Sequence, residues 1–116
     1  MHAMIGFMRK PDGVSTAEFR DWWLGKHVPH VLAVPGLRHY VVCPADRAFD
    51  AGTGGFDPAP AYDGVAMLYF DDEASMREAF SSPKGESDRN HLNEMGIESV
   101  IVVGQAIVQR GDIIPG

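Results

Sequence analysis

The chain has 116 residues, of which 16 are acidic and ten are basic, so its formal net charge is −6 at neutral pH. This length is enough for one domain with a buried core, and we predict a single domain over residues 1–116. The acidic balance and the lack of a basic cluster argue against a nucleic-acid partner, because binding to a phosphate backbone relies on clustered Lys and Arg. We also expect no membrane partner and a cytoplasmic location, because no secretory signal is visible and no apolar run approaches roughly 18–20 residues.

The first part of the chain predicts a strand, a long helix and a second strand. Residues His2–Arg9 form a short apolar run that ends at a Pro-Asp-Gly turn. Ser15, with Glu18 three residues later, is typical of a helix N-terminus, and we expect this helix to continue to about Ala33. A Pro-Gly turn then leads into a second strand over Leu37–Cys43, which is rich in Val and Tyr.

The second part of the chain begins with a long Gly- and Pro-rich loop, which we predict to be a mobile flap at the mouth of a pocket. The predicted elements are, in order, this loop over Pro44–Ala61, a strand over Tyr62–Phe70, a helix capped by Asp71 or Asp72 and ended by Ser82-Pro83, a short helix over Ser87–Met95 that stops at Gly96, and a strand over Val100–Val108. The last strand is apolar on both faces, so we expect it in a central or doubly covered position.

The element order β-α-β-β-α-β predicts an α+β, ferredoxin-like fold: an antiparallel four-stranded sheet with both helices on one side. The strands carry apolar residues of both phases, so the helix-free face is apolar and would be exposed to water in a single chain. Burying that face against a second copy solves the problem, so we predict a homodimer through the sheet faces, a dimeric α+β barrel.

The end of the first helix is the best candidate for a site. Phe19, Trp23 and His27 recur at four-residue intervals and share one helix face. An imidazole on such a face needs a hydrogen-bond partner or marks a pocket. Pro29 cannot donate to the carbonyl of Gly25, so the helix should loosen just where His27 lies.

The second strand supplies a possible partner for this imidazole. Side chains alternate between the two faces of this strand, so Leu37, His39, Val41 and Cys43 share one face. We assign this mostly apolar set to the helix-packed core, which leaves Arg38 and Tyr40 to line the barrel interior. A His base and a Tyr donor in one cavity are what proton abstraction beside a carbonyl requires. Structural alternatives stay open: His27 could cap a carbonyl freed by Pro29, Tyr40 could be a core aromatic, and Arg38 could pair with an acid such as Asp63 or Glu98 across the sheet.

The remaining reactive residues suggest little further chemistry. His27 and His30 are three apart and could share a metal, but no acid or Cys stands at supporting spacing, so we predict no metal. No phosphate-binding loop is present, and we predict no dissociable cofactor. Cys43 is interpreted as a small apolar residue, and Trp22 as a surface or dimer-contact aromatic, since Trp23 already holds the face of Phe19.

A longer pattern resembles the EthD family of small dimeric α+β barrel proteins. It combines Phe-x-x-x-Trp-x-x-x-His-x-Pro with Pro-Gly-x-Arg-x-Tyr, and an Asp-Gly strand ending in Phe and a Ser-Pro follow. The matching residues are Phe19, Trp23, His27, Pro29, Pro35, Gly36, Arg38, Tyr40, Asp63, Gly64, Phe70, Ser82 and Pro83. The resemblance extends from about Met4 to Val108 and implies two sheets that face each other across a dimer, with a pocket in each half.

The resemblance also implies site residues. A His and a Tyr in the pocket of the methylmuconolactone methylisomerases of this family align with His27 and Tyr40, which we therefore take as candidate catalytic residues. A second pocket His of those enzymes has no counterpart, because Pro44–Pro60 contains no His. The candidate substrate-binding residues are Trp23, Arg38, His30 and His91.

The function implied is that of a small enzyme without a dissociable cofactor, in the breakdown of small organic compounds or in polyketide tailoring. It would isomerise, decarboxylate or dehydrate an enolisable or aromatic carbonyl compound, a small-molecule substrate. A first alternative is a cofactor-free monooxygenase or an accessory to an ether-degrading oxidase. A second alternative is a non-catalytic protein that binds a small molecule in its barrel.

Overall fold

The computed structural model describes residues 1–56, 58–107 and 110–111. Within these residues no helix is long and apolar enough to cross a membrane. The elements are, in chain order, β1 (His2–Arg9), α1 (Thr16–Trp22), a π-helical segment (Trp23–His27), α2 (Val28–Leu32), β2 (His39–Pro44), β3 (Gly64–Phe70), α3 (Glu73–Ser81), α4 (Pro83–Met95) and β4 (Glu98–Gln105).

The four strands form one antiparallel sheet in the order β2-β3-β1-β4, which confirms the predicted ferredoxin-like α+β fold. The helices pack on one face of this sheet around Phe19, Trp23 and Phe70, which are fully buried. The opposite, helix-free face carries Val100 and Val102, which are about half exposed in the single chain. The sheet therefore has a covered face, where a site can be enclosed, and an apolar face that is open.

The first helix loosens where its sequence predicts. The Ser15 side chain accepts a hydrogen bond from the backbone N–H of Glu18, which caps the helix as expected. At Trp23 the helix widens into the π-helical segment, and the N–H of Val28 donates to the carbonyl of Trp23. Pro29 then lies in the first turn of α2, where a missing N–H is tolerated. The widened turn carries both Trp23 and His27, and single-turn π-bulges are frequent at functional sites.

The Asp-Gly pair before β3 joins the sheet to this helix. A Cβ at Gly64 would overlap the ring of Trp23, so only glycine lets the indole lie on the strand. Asp63 accepts a hydrogen bond from the N–H of Lys10 and donates its own N–H to the carbonyl of Met8. These contacts tie the end of β1 to the start of β3 and fix the sheet beneath Trp23.

The structure corrects two predicted elements. The last helix begins at Pro83 rather than Ser87, because Ser82 ends α3 and also caps α4, with Pro83 in its first turn. The prediction of a central or doubly covered last strand is wrong: β4 lies at the sheet edge, and Val100–Val103 are about half exposed. An edge strand has a neighbouring strand on one side only, and on the covered face Ser99 and Ile101 of β4 line a cavity.

The face assignment in β2 is also wrong. Tyr40 is paired with Leu68 and Val42 with Ala66, and these side chains pack against the helix-covered core. The other phase of β2 includes the exposed Cys43, which lies on the helix-free face. The two phases of the strand are as predicted, but the phase of His39, Val41 and Cys43 faces away from the helices.

Candidate active site between sheet and helices

A cavity of about 190 Å³ lies between the covered face of the sheet and the helices. Its lining is Met4, Gly6, Met8, His27, Val31, Tyr40, Ala66, Leu68, Phe80, Asp88, Arg89, Leu92, Ser99 and Ile101. Most of the wall is apolar. Three of its largely buried residues are ionisable: His27, Tyr40 and Asp88. Arg89 also lines the cavity, but its side chain is exposed. A cavity with apolar walls and a few converging polar groups is the usual form of a small-molecule site.

His27 projects from the π-helical segment into the cavity and is 3% exposed. Its Nδ1 lies 2.9 Å from Nδ1 of His91. Among the described residues, the hydrogen-bond partner of the His27 ring is the side chain of His91 and not a backbone carbonyl. The alternative that His27 caps a carbonyl near Pro29 is therefore wrong. Burial, reinforced by His91 and His30, lowers the pKa of His27 to about 4. The imidazole is therefore neutral at physiological pH and can accept a proton.

Asp88 is the site residue that sequence reasoning missed. It lies on α4, is 6% exposed, and its Oδ1 is 3.6 Å from Nε2 of His27. Burial raises the pKa of Asp88 to about 6, with His30 acting in the opposite direction. The signal was present: Gly85, Asp88 and Leu92 share one helical face, and an acid on that face is as unusual as a His on the first helix. A helix predicted to begin at Ser87 excludes Gly85, so the face shared by Gly85, Asp88 and Leu92 is not recognised from the sequence.

Tyr40 reaches the same cavity from β2. Its hydroxyl is buried and has no hydrogen-bond partner among the described residues, and the same holds for Oδ1 of Asp88 and the indole N–H of Trp23. Burial raises the pKa of Tyr40 to about 12, Asp88 adds to the rise, and the nearby indole N–H of Trp23 offsets part of it. The phenol therefore keeps its proton at neutral pH and remains a donor without an acceptor. Buried polar groups are rarely left unpaired, so the Tyr40 hydroxyl and Oδ1 of Asp88, whose residues line the cavity, point to a ligand.

The structure brings His27 and Tyr40 together but distributes the other candidate residues differently. Trp23 is fully buried in the core and is not part of the cavity wall. Arg38 is exposed and bonds to Asp71 at 2.9–3.1 Å, which confirms the alternative that it pairs with an acid, although the acid is neither Asp63 nor Glu98. Its guanidinium is outside the cavity lining, contrary to the expectation that it faces the pocket.

His30 and His91 line a separate surface groove that adjoins the far side of His27. Their rings stack with centroids 4.1 Å apart. Trp22 belongs to this site as well, because its indole stacks on His27 at 5.1 Å with an interplanar angle of 14°. Trp22 is partly buried against the core and supports the imidazole, so the expectation of a surface aromatic is wrong, while a dimer contact stays a prediction.

The loop after β2 does not enclose this cavity. Its described residues contribute none of the lining; instead Ala45 and Ala48 line a groove with Phe7 and Cys43 at the helix-free face. The predicted flap over the pocket is therefore wrong for the described residues. In the same described part of the chain, no three His, Cys, Asp or Glu side chains form a group that could hold a metal ion.

Comparison with known proteins agrees with this architecture. The profile of the EthD domain matches residues 11–93. An uncharacterised 11.0 kDa protein from the thcB-thcC intergenic region of Rhodococcus erythropolis is 32% identical over 71 residues, which cover 61% of this chain and 62% of that protein. The match thus spans less than two thirds of that relative.

Solved structures show the same fold. An EthD family protein from Bacillus halodurans has a TM-score of 0.71 at 18% identity, over 92% of this chain and 99% of that chain. SnoaB, a cofactor-independent oxygenase from Streptomyces nogalater, has a TM-score of 0.63 at 14% identity, over 96% and 97% of the two chains. At these identities the likeness is one of fold. With its domain profile matched over most of its length, the chain belongs to the EthD family.

Proposed function

We propose that this protein is an enzyme that moves protons on a compact carbonyl compound, enolisable or aromatic, without a dissociable cofactor. One observation carries the proposal: a largely apolar cavity holds a buried neutral imidazole, together with a carboxylate oxygen and a phenol that have no hydrogen-bond partner among the described residues. A protein that only needed a stable core would gain from replacing these groups with apolar ones.

Each group has a role in this chemistry. Nε2 of His27 would take the proton from the carbon or hydroxyl beside the carbonyl, and the hydroxyl of Tyr40 would donate to the oxygen that gains charge. Asp88, 3.6 Å from Nε2, would stabilise the imidazolium while it exists. Returning the proton to another position completes an isomerisation, and the same enolate precedes decarboxylation or dehydration.

The cavity volume limits the substrate. A cavity of about 150 Å³ is known to accept benzene, and this one is about 190 Å³. It therefore suits a single ring with a few substituents better than a fused three-ring compound. Its methionine walls, from Met4 and Met8, can adapt to a flat or irregular apolar body.

Cofactor-free oxygenation is a second candidate, and the fold shared with SnoaB favours it. In that reaction the enolate or phenolate made by His27 would react directly with dioxygen, which is the oxidant. The first step is the same in both candidates, so the residues above would keep their roles. Only the fate of the anion differs.

Deuterium wash-in tests the proposal. The protein would be incubated in D₂O with single-ring hydroxyaromatics, lactones and β-keto compounds, followed by NMR and by an oxygen electrode. Exchange beside the carbonyl without oxygen uptake supports proton transfer, and uptake supports the oxygenase. Binding without exchange of any compound, and without oxygen uptake, would contradict an enzyme and indicate the non-catalytic binder.

A further inference from the structure

Four aromatic rings connect the cavity to the surface. Trp22, His27 and His91 stack pairwise with centroids 5.1–5.2 Å apart, and His30 stacks on the outer face of His91 at 4.1 Å. His27 lines the cavity, whereas His91 and His30 line a groove open to solvent between α2 and α4. A row of three imidazoles thus begins in the cavity and ends in a groove open to solvent.

The contact between His27 and His91 imposes a relation on their protons. Their Nδ1 atoms are 2.9 Å apart, so one must carry a proton and the other a lone pair. If His27 donates, its Nε2 has a free lone pair beside Asp88. If His91 donates, Nε2 of His27 carries the proton instead. The protonation of the surface imidazole therefore decides whether the buried one is a base or an acid.

A proton accepted in the cavity cannot remain on His27. Burial, His91 and His30 all disfavour its charged form and lower its pKa, and Asp88 is the carboxylate that faces it. The pKa of His91 is also lowered, by partial burial, His30 and Lys26, while Glu94 opposes the change. Since His91 borders the solvent-filled groove, a proton that reaches it can leave.

We propose that His91 is a proton relay between His27 and bulk water, an inference that rests on the proposed function. In the forward half, the substrate gives a proton to Nε2 of His27, the Nδ1 proton of His27 passes to Nδ1 of His91, and the Nε2 proton of His91 passes to water. Both rings end neutral with their tautomers exchanged. That state is the one needed to return a proton to the intermediate, so the reverse sequence resets the pair.

The relay can be tested first in the free protein. With ¹⁵N-labelled histidine, NMR should detect a scalar coupling across the Nδ1–H···Nδ1 bond of His27 and His91. His91→Phe keeps a ring in the stack but removes the nitrogen, so the coupling should vanish and the His27 ring proton should exchange with water more slowly. His30→Phe is the matched control and should leave the coupling intact. A coupling that is absent from the wild-type protein would overturn the relay.

The second test uses a compound that undergoes wash-in. His91→Phe should slow deuterium wash-in at least about tenfold, a part of the usual general acid–base contribution, with ligand affinity little changed. Imidazole added to the buffer should restore much of the rate, because a small diffusible base can replace a relay but not a structural residue. Unchanged wash-in, or slow wash-in that imidazole fails to restore, would overturn the proposal. If no compound exchanges in any variant, the proposed function fails, and the coupling and ring-proton exchange alone decide on the relay.

Discussion

Oδ1 of Asp88 lies 3.6 Å from Nε2 of His27, and both side chains are almost completely buried. At neutral pH this contact is not an ion pair. Burial lowers the pKa of His27 to about 4 and raises the pKa of Asp88 to about 6, so a neutral imidazole faces a carboxylate. Two groups whose pKa values are driven in opposite directions by their surroundings are typical of acid–base sites.

The first prediction concerns stability against pH when Asp88 is removed. The folded-state pKa of His27 lies below its unfolded value, so the unfolded chain binds the proton better, and stability is lost as the pH falls from about 6.5 towards 4. In wild type, proton uptake by Asp88, whose folded-state pKa is raised, offsets part of this loss of stability. Asp88→Asn removes that offset. Relative to wild type, we expect an additional loss on the order of 1–3 kcal/mol over that range, measured by urea unfolding.

The second prediction is the opposite slope in His27→Gln. The folded-state pKa of Asp88 lies above its unfolded value, so the folded chain binds the proton better between pH 6 and 4. Acidification should therefore stabilise His27→Gln relative to wild type over this range. If both variants changed in the same direction between pH 6.5 and 4, the assignment of opposite shifts would be wrong.

The third prediction separates stability from function at Tyr40. Its buried hydroxyl has no hydrogen-bond partner in the described part of the chain, so Tyr40→Phe keeps the ring packing and removes an unsatisfied group. The thermal midpoint should stay the same or rise, whereas deuterium wash-in should fall at least about tenfold as the oxygen donor is lost. A clear drop in the midpoint with unchanged wash-in would make Tyr40 a core residue only.

The fourth prediction concerns the glycine under Trp23. A Cβ at Gly64 would overlap the indole, so Gly64→Ala should cost about 1–3 kcal/mol of unfolding free energy through overpacking. Gly104 is the matched control, since a Cβ there meets nothing within 4 Å. Equal stabilities for the two alanine variants would show that Trp23 does not hold the helix against the sheet.

The fifth prediction is the homodimer through the helix-free sheet face. Val102 is 53% exposed there and continues an apolar surface with its partner Ile5 on β1. Sedimentation at micromolar concentration should give the mass of two chains for wild type and of one chain for Val102→Lys. Leu32→Lys, at an equally apolar and more exposed position on α2, is the control and should stay dimeric. A wild-type mass of one chain would refute the prediction.

Local signals predicted most of the fold. Some features depend only on residues close in sequence and could therefore be predicted without a structure. They are the Ser15 cap, the positive φ of Gly36 and Gly96, and the loosened helix before Pro29. The strand-face assignment in β2 and the edge position of β4 depend on which surface another element or chain covers. A single sequence does not carry that information, because apolar residues suit a core and a dimer face equally.

The site was half predictable for the same reason. His27 stands out within one helix, and Tyr40 follows from the strand after it. Asp88 reaches the site from a helix about 60 residues later. His91, on the same helix, is a candidate from the sequence, but its contact with His27 depends on the fold and not on any spacing. Polar residues on α4 resemble an ordinary solvated face until the opposing imidazole is known.

His27 is the proposed base of the proton-transfer site, and the ratio of deuterium wash-in rates between wild type and His27→Gln tests this role most directly. His39→Gln is the control, because that imidazole lies on β2 beside Tyr69, away from the cavity. We predict that His27→Gln lowers the rate by about two to four orders of magnitude while His39→Gln leaves it unchanged. Equal rates in wild type and His27→Gln, with ligand still bound, would contradict the account.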